Sequence, residues 1–78
     1  MKTSVVTGCH GGMGRAICAE QKRAGYRVVG IDRAESEPGA GDERPDRFIA
    51  CDLSDMAQVR RALDDMADEP QVTCLVNC

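Results

Sequence analysis

Between the apolar pair Val5-Val6 and a helix-like segment lies Thr7-Gly8-Cys9-His10-Gly11-Gly12-Met13-Gly14, where a strand hands over to a helix N-terminus. Such a junction favours a phosphate, because free backbone N–H groups and the helix dipole both point at the anion. Glycine there permits positive φ and lets a pyrophosphate approach the backbone without meeting a Cβ. Taken alone, a glycine-rich turn is also the ordinary way to make a tight strand-to-helix connection. The rest of the chain decides between the two.

The order that follows is strand, helix, strand, loop, strand, helix, strand. Thr3–Thr7 reads as a short strand. Met13, Ala16, Ile17 and Ala24 recur near helical spacing, so a helix is expected from about Gly12 to just before Gly25, a suitable C′ residue. Arg27–Ile31 is the next strand. Glu35 to Asp46 is rich in Pro, Gly and acids, lacks periodicity and is expected to be an irregular, mobile surface loop. Phe48–Cys51 returns to strand character. Ser54 is the expected N-cap of a second helix, with Asp55 in its first turn and Met56, Val59, Leu63 and Met66 along one face. Val72–Val76 is nearly all apolar, as in a strand buried on both faces. Strands alternating with helices predict an α/β fold, a parallel sheet with right-handed crossovers. The expected architecture is half of a doubly wound nucleotide-binding fold, four parallel strands in the order 3-2-1-4 with flanking helices.

Composition narrows the partners. The 78 residues make one small domain at most, and a net charge of −3 with scattered Lys and Arg argues against nucleic acid. No apolar run approaches the roughly 18–20 residues that span a bilayer, and Val5-Val6 is too short for a signal-peptide core. A soluble cytoplasmic protein without a membrane partner is expected. The five cysteines are odd in number and lack a C-x-x-C, and His10 is the sole histidine, so reduced cysteines without a metal site are expected.

The glycine spacing discriminates further. A G-x-G-x-x-G fingerprint starting at Gly12 is broken by Ile17, and a Walker A loop lacks its Gly-Lys-Ser/Thr ending. Thr7, Gly8, Gly12 and Gly14 instead fit T-G-x-x-x-G-x-G. Three more residues stand at ends of expected strands: Asp32 after Val28–Ile31, Asp52 in Cys51-Asp52-Leu53, and Asn77 in Leu75-Val76-Asn77-Cys78. Singly, Asp32 reads equally as a solvated strand-end acid, Asp52 as a helix starter and Asn77 as a terminal polar residue. Together, in this order, they resemble the classical short-chain dehydrogenase/reductase family, a Rossmann-fold family, over nearly the whole chain. Leu75-Val76-Asn77-Cys78 is similar to the start of its N-N-A-G motif, with Cys78 at the second position. The brief polar connection between the second and third strands departs from members that place a helix there.

The resemblance implies a cofactor-binding set of Gly8, Gly12, Met13, Gly14, Asp32, Arg33, Asp52, Leu53 and Asn77. Asp32 would accept hydrogen bonds from the adenosine ribose and repel a 2′-phosphate, favouring NAD over NADP; Arg33 pulls the other way, since a guanidinium accommodates a phosphate. Asp52 would face the adenine amino group, Leu53 would lie along the pocket, and Asn77 would border the ribose. Cys9 and His10 occupy variable loop positions and are expected to face solvent.

Family members exchange hydride between NAD(P) and an alcohol or carbonyl, using Ser, Tyr and Lys with Y-x-x-x-K spacing. The sole tyrosine, Tyr26, has Gly30 four residues on and is expected to be a packing residue, so no catalytic residue is assigned. Residues 1–78 are expected to be a partial NAD(P)-binding domain cut before the catalytic half and inactive alone. The alternatives are a stand-alone adenine-dinucleotide-binding module and a truncated product without a role. The apolar 72–76 strand, if left at a bare sheet edge, is expected to promote self-association.

Overall fold

A computed structural model describes residues 1–78. Four parallel strands, β1 (Thr3–Thr7), β2 (Arg27–Asp32), β3 (Arg47–Ala50) and β4 (Val72–Asn77), form one sheet in the order β3-β2-β1-β4. Helix α1 (Gly12–Arg23) links β1 to β2, and α2 (Met56–Asp65) with a short 3₁₀ turn at Met66–Asp68 links β3 to β4. The expected half of a doubly wound fold is therefore present. Val5 pairs with Val29 on one side and Leu75 on the other, so β1 is an interior strand, and all five of its residues are buried.

Alternation along the strands divides the core into two layers. Val5, Val29, Ile31, Ile49 and Cys51 meet Ala62 of α2, with Val59 and Met66 packed alongside. On the opposite face Val6, Val28 and Cys9 meet Cys18 of α1, with Ile17, Tyr26 and Val76 against them. Tyr26 is thus a packing residue. It also closes α1: its N–H bonds the Gln21 carbonyl and the Gly25 N–H bonds that of Lys22, with Gly25 at φ 93°. This paired arrangement needs the left-handed conformation that glycine takes without a Cβ penalty.

Several local expectations are corrected. The buried stripe of α1 runs through Gly14 and Cys18, whereas Met13 is 73% exposed and Ala16 is exposed. Hydropathy alone does not register Gly14, which is buried because α1 rests on the loop backbone: a Cβ there would stand 1.9 Å from the Gly8 carbonyl oxygen. The N-cap of α2 is Asp55, accepting from the N–H groups of Ala57 and Gln58, because the N–H and hydroxyl of Ser54 are both taken by Asp52 Oδ1. Met56 and Leu63 of the expected apolar face of α2 are exposed, and Ala62 makes the buried contact. β4 is not buried on both faces. It is an edge strand, α2 leaves Leu75 67% exposed, and Val72, Leu75, Val5, Leu63 and Met66 line an open apolar hollow of about 320 Å³.

The β2–β3 connection, expected to be irregular and mobile, contains a 3₁₀ turn at Gly41–Glu43 and is fastened to α1 and β2. Arg15 donates from Nε to the His10 carbonyl (2.8 Å) and from Nη2 to that of Glu37 (2.6 Å). Asp46 accepts from the Val28 N–H at 2.8 Å and pairs with Lys22 at 3.9 Å. At the amino ends of the strands, Glu69 accepts from Arg27 Nε (2.8 Å) and Nη2 (3.1 Å) and from Arg47 Nη1 (2.7 Å), with only 5% of its side chain exposed. That bridge ties β2 and β3 to the segment leading into β4. No helix is long and apolar enough to cross a membrane.

Candidate functional site at the carboxyl ends of the strands

Parallel strands end together, so the residues following β1, β2, β3 and β4 converge on one edge of the sheet, the usual ligand side of an open α/β fold. After β1 the chain turns at Gly8 (φ 65°), and Gly11 N–H closes the turn on the Gly8 carbonyl at 3.1 Å. Gly11 is the N-cap of α1 and supplies no side-chain cap, and no acid occupies the first turn. The first N–H groups of α1 are thereby left to an external acceptor. A Cβ on Gly12 would meet nothing within 4 Å, so its face is open. Met13 lies exposed beside it.

A cleft of about 210 Å³ opens next to this turn and is lined by Gly8, Asp32, Arg33, Asp52, Leu53 and Cys78 among others. Five of the nine sequence-derived residues are thus brought together. Asp32 accepts from the His10 N–H at Oδ2 (2.9 Å) and from the Arg33 N–H at Oδ1 (2.8 Å), which fixes the carboxylate and leaves lone pairs on both oxygens. Arg33 is exposed, its Nη1 3.7 Å from Glu35. Asp52 Oδ1 accepts from the Ser54 hydroxyl (2.6 Å) and N–H (2.9 Å), and these bonds, the hydroxyl's first, hold its carboxyl below the ordinary value. Leu53, half exposed, gives the cleft an apolar wall.

The other four residues stand elsewhere. Gly12 and Met13 form the open helix start, while Gly14 is packed beneath Gly8 and faces no cleft. Asn77 lies outside the lining: its Oδ1 accepts from the Thr7 hydroxyl (2.7 Å), and the Thr7 Oγ1 in turn accepts from the Cys78 N–H (3.2 Å). Thr7 therefore clamps the end of β4 to the end of β1, a role the T-G pair did not disclose.

Cys9 and His10 do not face solvent. Cys9 is fully buried and His10 is 9% exposed. Burial, with Cys18 and Asp32 nearby, pushes the Cys9 thiol up to about 12, the opposite of an activated thiol. Gly30 makes room for it, since a Cβ on that strand residue would be 2.6 Å from Cys9 Sγ. Donor atoms of Cys9, His10 and Asp32 lie within 4.8 Å of one another. Each carboxylate oxygen already holds an N–H and His10 Nδ1 bonds Ser36 Oγ at 2.7 Å, so Asp32 and His10 are engaged in hydrogen bonds, while the buried Cys9 thiol stays protonated. A larger hollow of about 480 Å³ lies by the β2–β3 connection, between His10, Ser36, Arg44 and Phe48, and includes none of the nine residues.

Residues 4–76 match the model of the NAD dependent epimerase/dehydratase family. The chain is also 35% identical over 83 aligned residues to D-threitol dehydrogenase from Mycolicibacterium smegmatis (strain ATCC 700084 / mc(2)155). That alignment covers 97% of this chain and 32% of the relative, so the chain spans about a third of the curated protein it matches.

Proposed function

Because the chain belongs to the NAD dependent epimerase/dehydratase family, we propose that residues 1–78 form one domain holding the adenosine and pyrophosphate of a nicotinamide dinucleotide, within an oxidoreductase of short-chain dehydrogenase/reductase type. The observation that carries the reading is the cleft beside the uncapped α1 N-terminus, with Gly8, Asp32, Arg33, Asp52 and Leu53 around it. Here the pyrophosphate lies over Gly12 and Met13, on the free N–H groups. The ribose hydroxyls donate to the two fixed oxygens of Asp32, and the adenine lies between Arg33 and Leu53 with its amino group toward Asp52. Gly14 and Asn77 shape the site from behind. Asp32 makes NAD the preferred cofactor by repelling a 2′-phosphate, against the partial offset of Arg33.

The complete enzyme then moves hydride between the dinucleotide and an alcohol or carbonyl substrate. No Ser-Tyr-Lys set with Y-x-x-x-K spacing lies within residues 1–78, so this portion binds and does not catalyse. Five free cysteines, three of them buried, support a reducing, cytoplasmic setting.

The test is titration of the chain with NAD and NADP by calorimetry or amide NMR. NAD binds weakly but more tightly than NADP, and Asp32→Ala loses NAD binding while narrowing the difference. Equal affinity of the unaltered chain for both cofactors refutes the role given to Asp32.

A further inference from the structure

The two N–H groups that hold Asp32 belong to His10 and Arg33, and a second path joins those residues. Ser36 Oγ donates its single proton to the Arg33 carbonyl at 2.5 Å. It therefore accepts at its 2.7 Å contact with His10, which assigns the proton to Nδ1 of the imidazole. The bonds close a circuit: Asp32 Oδ2 to His10 N–H, His10 Nδ1–H to Ser36, Ser36 to the Arg33 carbonyl, and Arg33 N–H to Asp32 Oδ1. The ring itself is seated by stacking on Phe48, centroids 4.4 Å apart and planes at 19°. Arg15 holds the carbonyl of the same residue.

From this we infer that His10 is a positioning residue: its Nδ1–H bond to Ser36 locks the glycine turn to the β2–β3 connection and so aims Asp32 at the ribose. The inference rests on the adenosine reading above. A buried histidine that merely fills space needs its ring and no proton at Nδ1; the circuit needs that proton. In this chain a side-chain bond across the turn also does part of what a packed crossover helix would do, since only a 3₁₀ turn occupies the β2–β3 connection.

Three variants of the full chain separate the possibilities. His10→Phe keeps a ring on Phe48 and removes the donor, Ser36→Ala removes the acceptor, and His10→Asn places an amide nitrogen near the position of Nδ1 without the ring. His10→Phe and Ser36→Ala are expected to weaken NAD about tenfold, as for one hydrogen bond to a charged network, and to shrink the NADP-to-NAD Kd ratio. His10→Asn retains most of that ratio. In the unaltered protein, imidazole ¹⁵N NMR is expected to show a protonated Nδ1 and, in the neutral ring, a bare Nε2. This readout needs neither dinucleotide nor variant. The opposite tautomer overturns the inference even if a variant fails to fold. So does an unchanged Kd ratio in folded His10→Phe and Ser36→Ala against a discriminating wild type, which leaves the adenosine reading intact. Equal wild-type affinity for NAD and NADP instead overturns that reading, and the role of His10 in it falls too.

Discussion

Glu69 offers the sharpest quantitative test of what holds this small sheet together. The guanidiniums of Arg27 and then Arg47 hold its carboxyl at about 2, against an ordinary value of 4.5. A carboxylate with a depressed value stabilises the fold fully above about pH 4.5, and that stability is lost as pH falls toward 2. The interval corresponds to at most about 3 kcal/mol. The Arg27 and Arg47 side chains are 37% and 32% exposed, so solvent screening reduces the contribution to about 1–2 kcal/mol. Glu69→Gln should therefore lower stability at pH 7 by that amount, about 5–15 °C in Tm for a domain of this size. Urea unfolding followed by circular dichroism, at low micromolar protein and at pH 7, 5 and 3, gives the comparison. The wild-type advantage should be constant from pH 7 to 5 and shrink at pH 3. A gap that does not change with pH, or no gap at pH 7, would refute the bridge as a source of stability.

Gly12→Ala should fold with stability within about 1 kcal/mol of wild type yet lose dinucleotide affinity, since a methyl there enters open space over the helix start. Gly14→Ala should lose about 1–3 kcal/mol or more, because its Cβ would overlap the Gly8 carbonyl; denaturant midpoints and NAD titrations of both variants separate the two glycines. The bare β4 edge should drive self-association that Thr73→Lys reduces, and a sharp wild-type monomer by sedimentation at high concentration would exclude it. Thiol titration of the native chain should modify exposed Cys78 first and half-buried Cys74 next, with Cys9, Cys18 and Cys51 reacting only on unfolding; fast reaction at Cys9 would contradict its burial.

Periodicity and chain order made the architecture legible. Apolar runs of strand length separated by helical patterns allow few arrangements, and the parallel 3-2-1-4 sheet is the one observed. The cleft residues Gly8, Asp32, Arg33, Asp52 and Leu53 were legible because strand ends in such a sheet necessarily gather. What local pattern does not carry is contact between distant polar groups. Nothing around Arg15 announces that it reaches Glu37, or around Thr7 that it clamps Asn77. Cys9 and His10 had a discernible signal. Gly30, in the middle of an apolar strand, marks a place where another residue must approach, and it is Cys9 that does so. The exposure of β4 escapes the sequence for a different reason. An apolar run reports what a strand can bury, and burial itself depends on what lies alongside.

The Thr7 clamp has a kinetic consequence. Thr7 and Asn77 are 70 residues apart in sequence, so the floor of the glycine turn is finished by a contact of nearly maximal contour length for this chain. Closing so long a loop is entropically the last event to be compensated, and pairings of this kind slow folding. The glycine turn is then not a local nucleus that forms early, despite its compact sequence. Its shape should appear only when β4 docks, so that dinucleotide capture by a refolding chain lags behind the growth of helical signal.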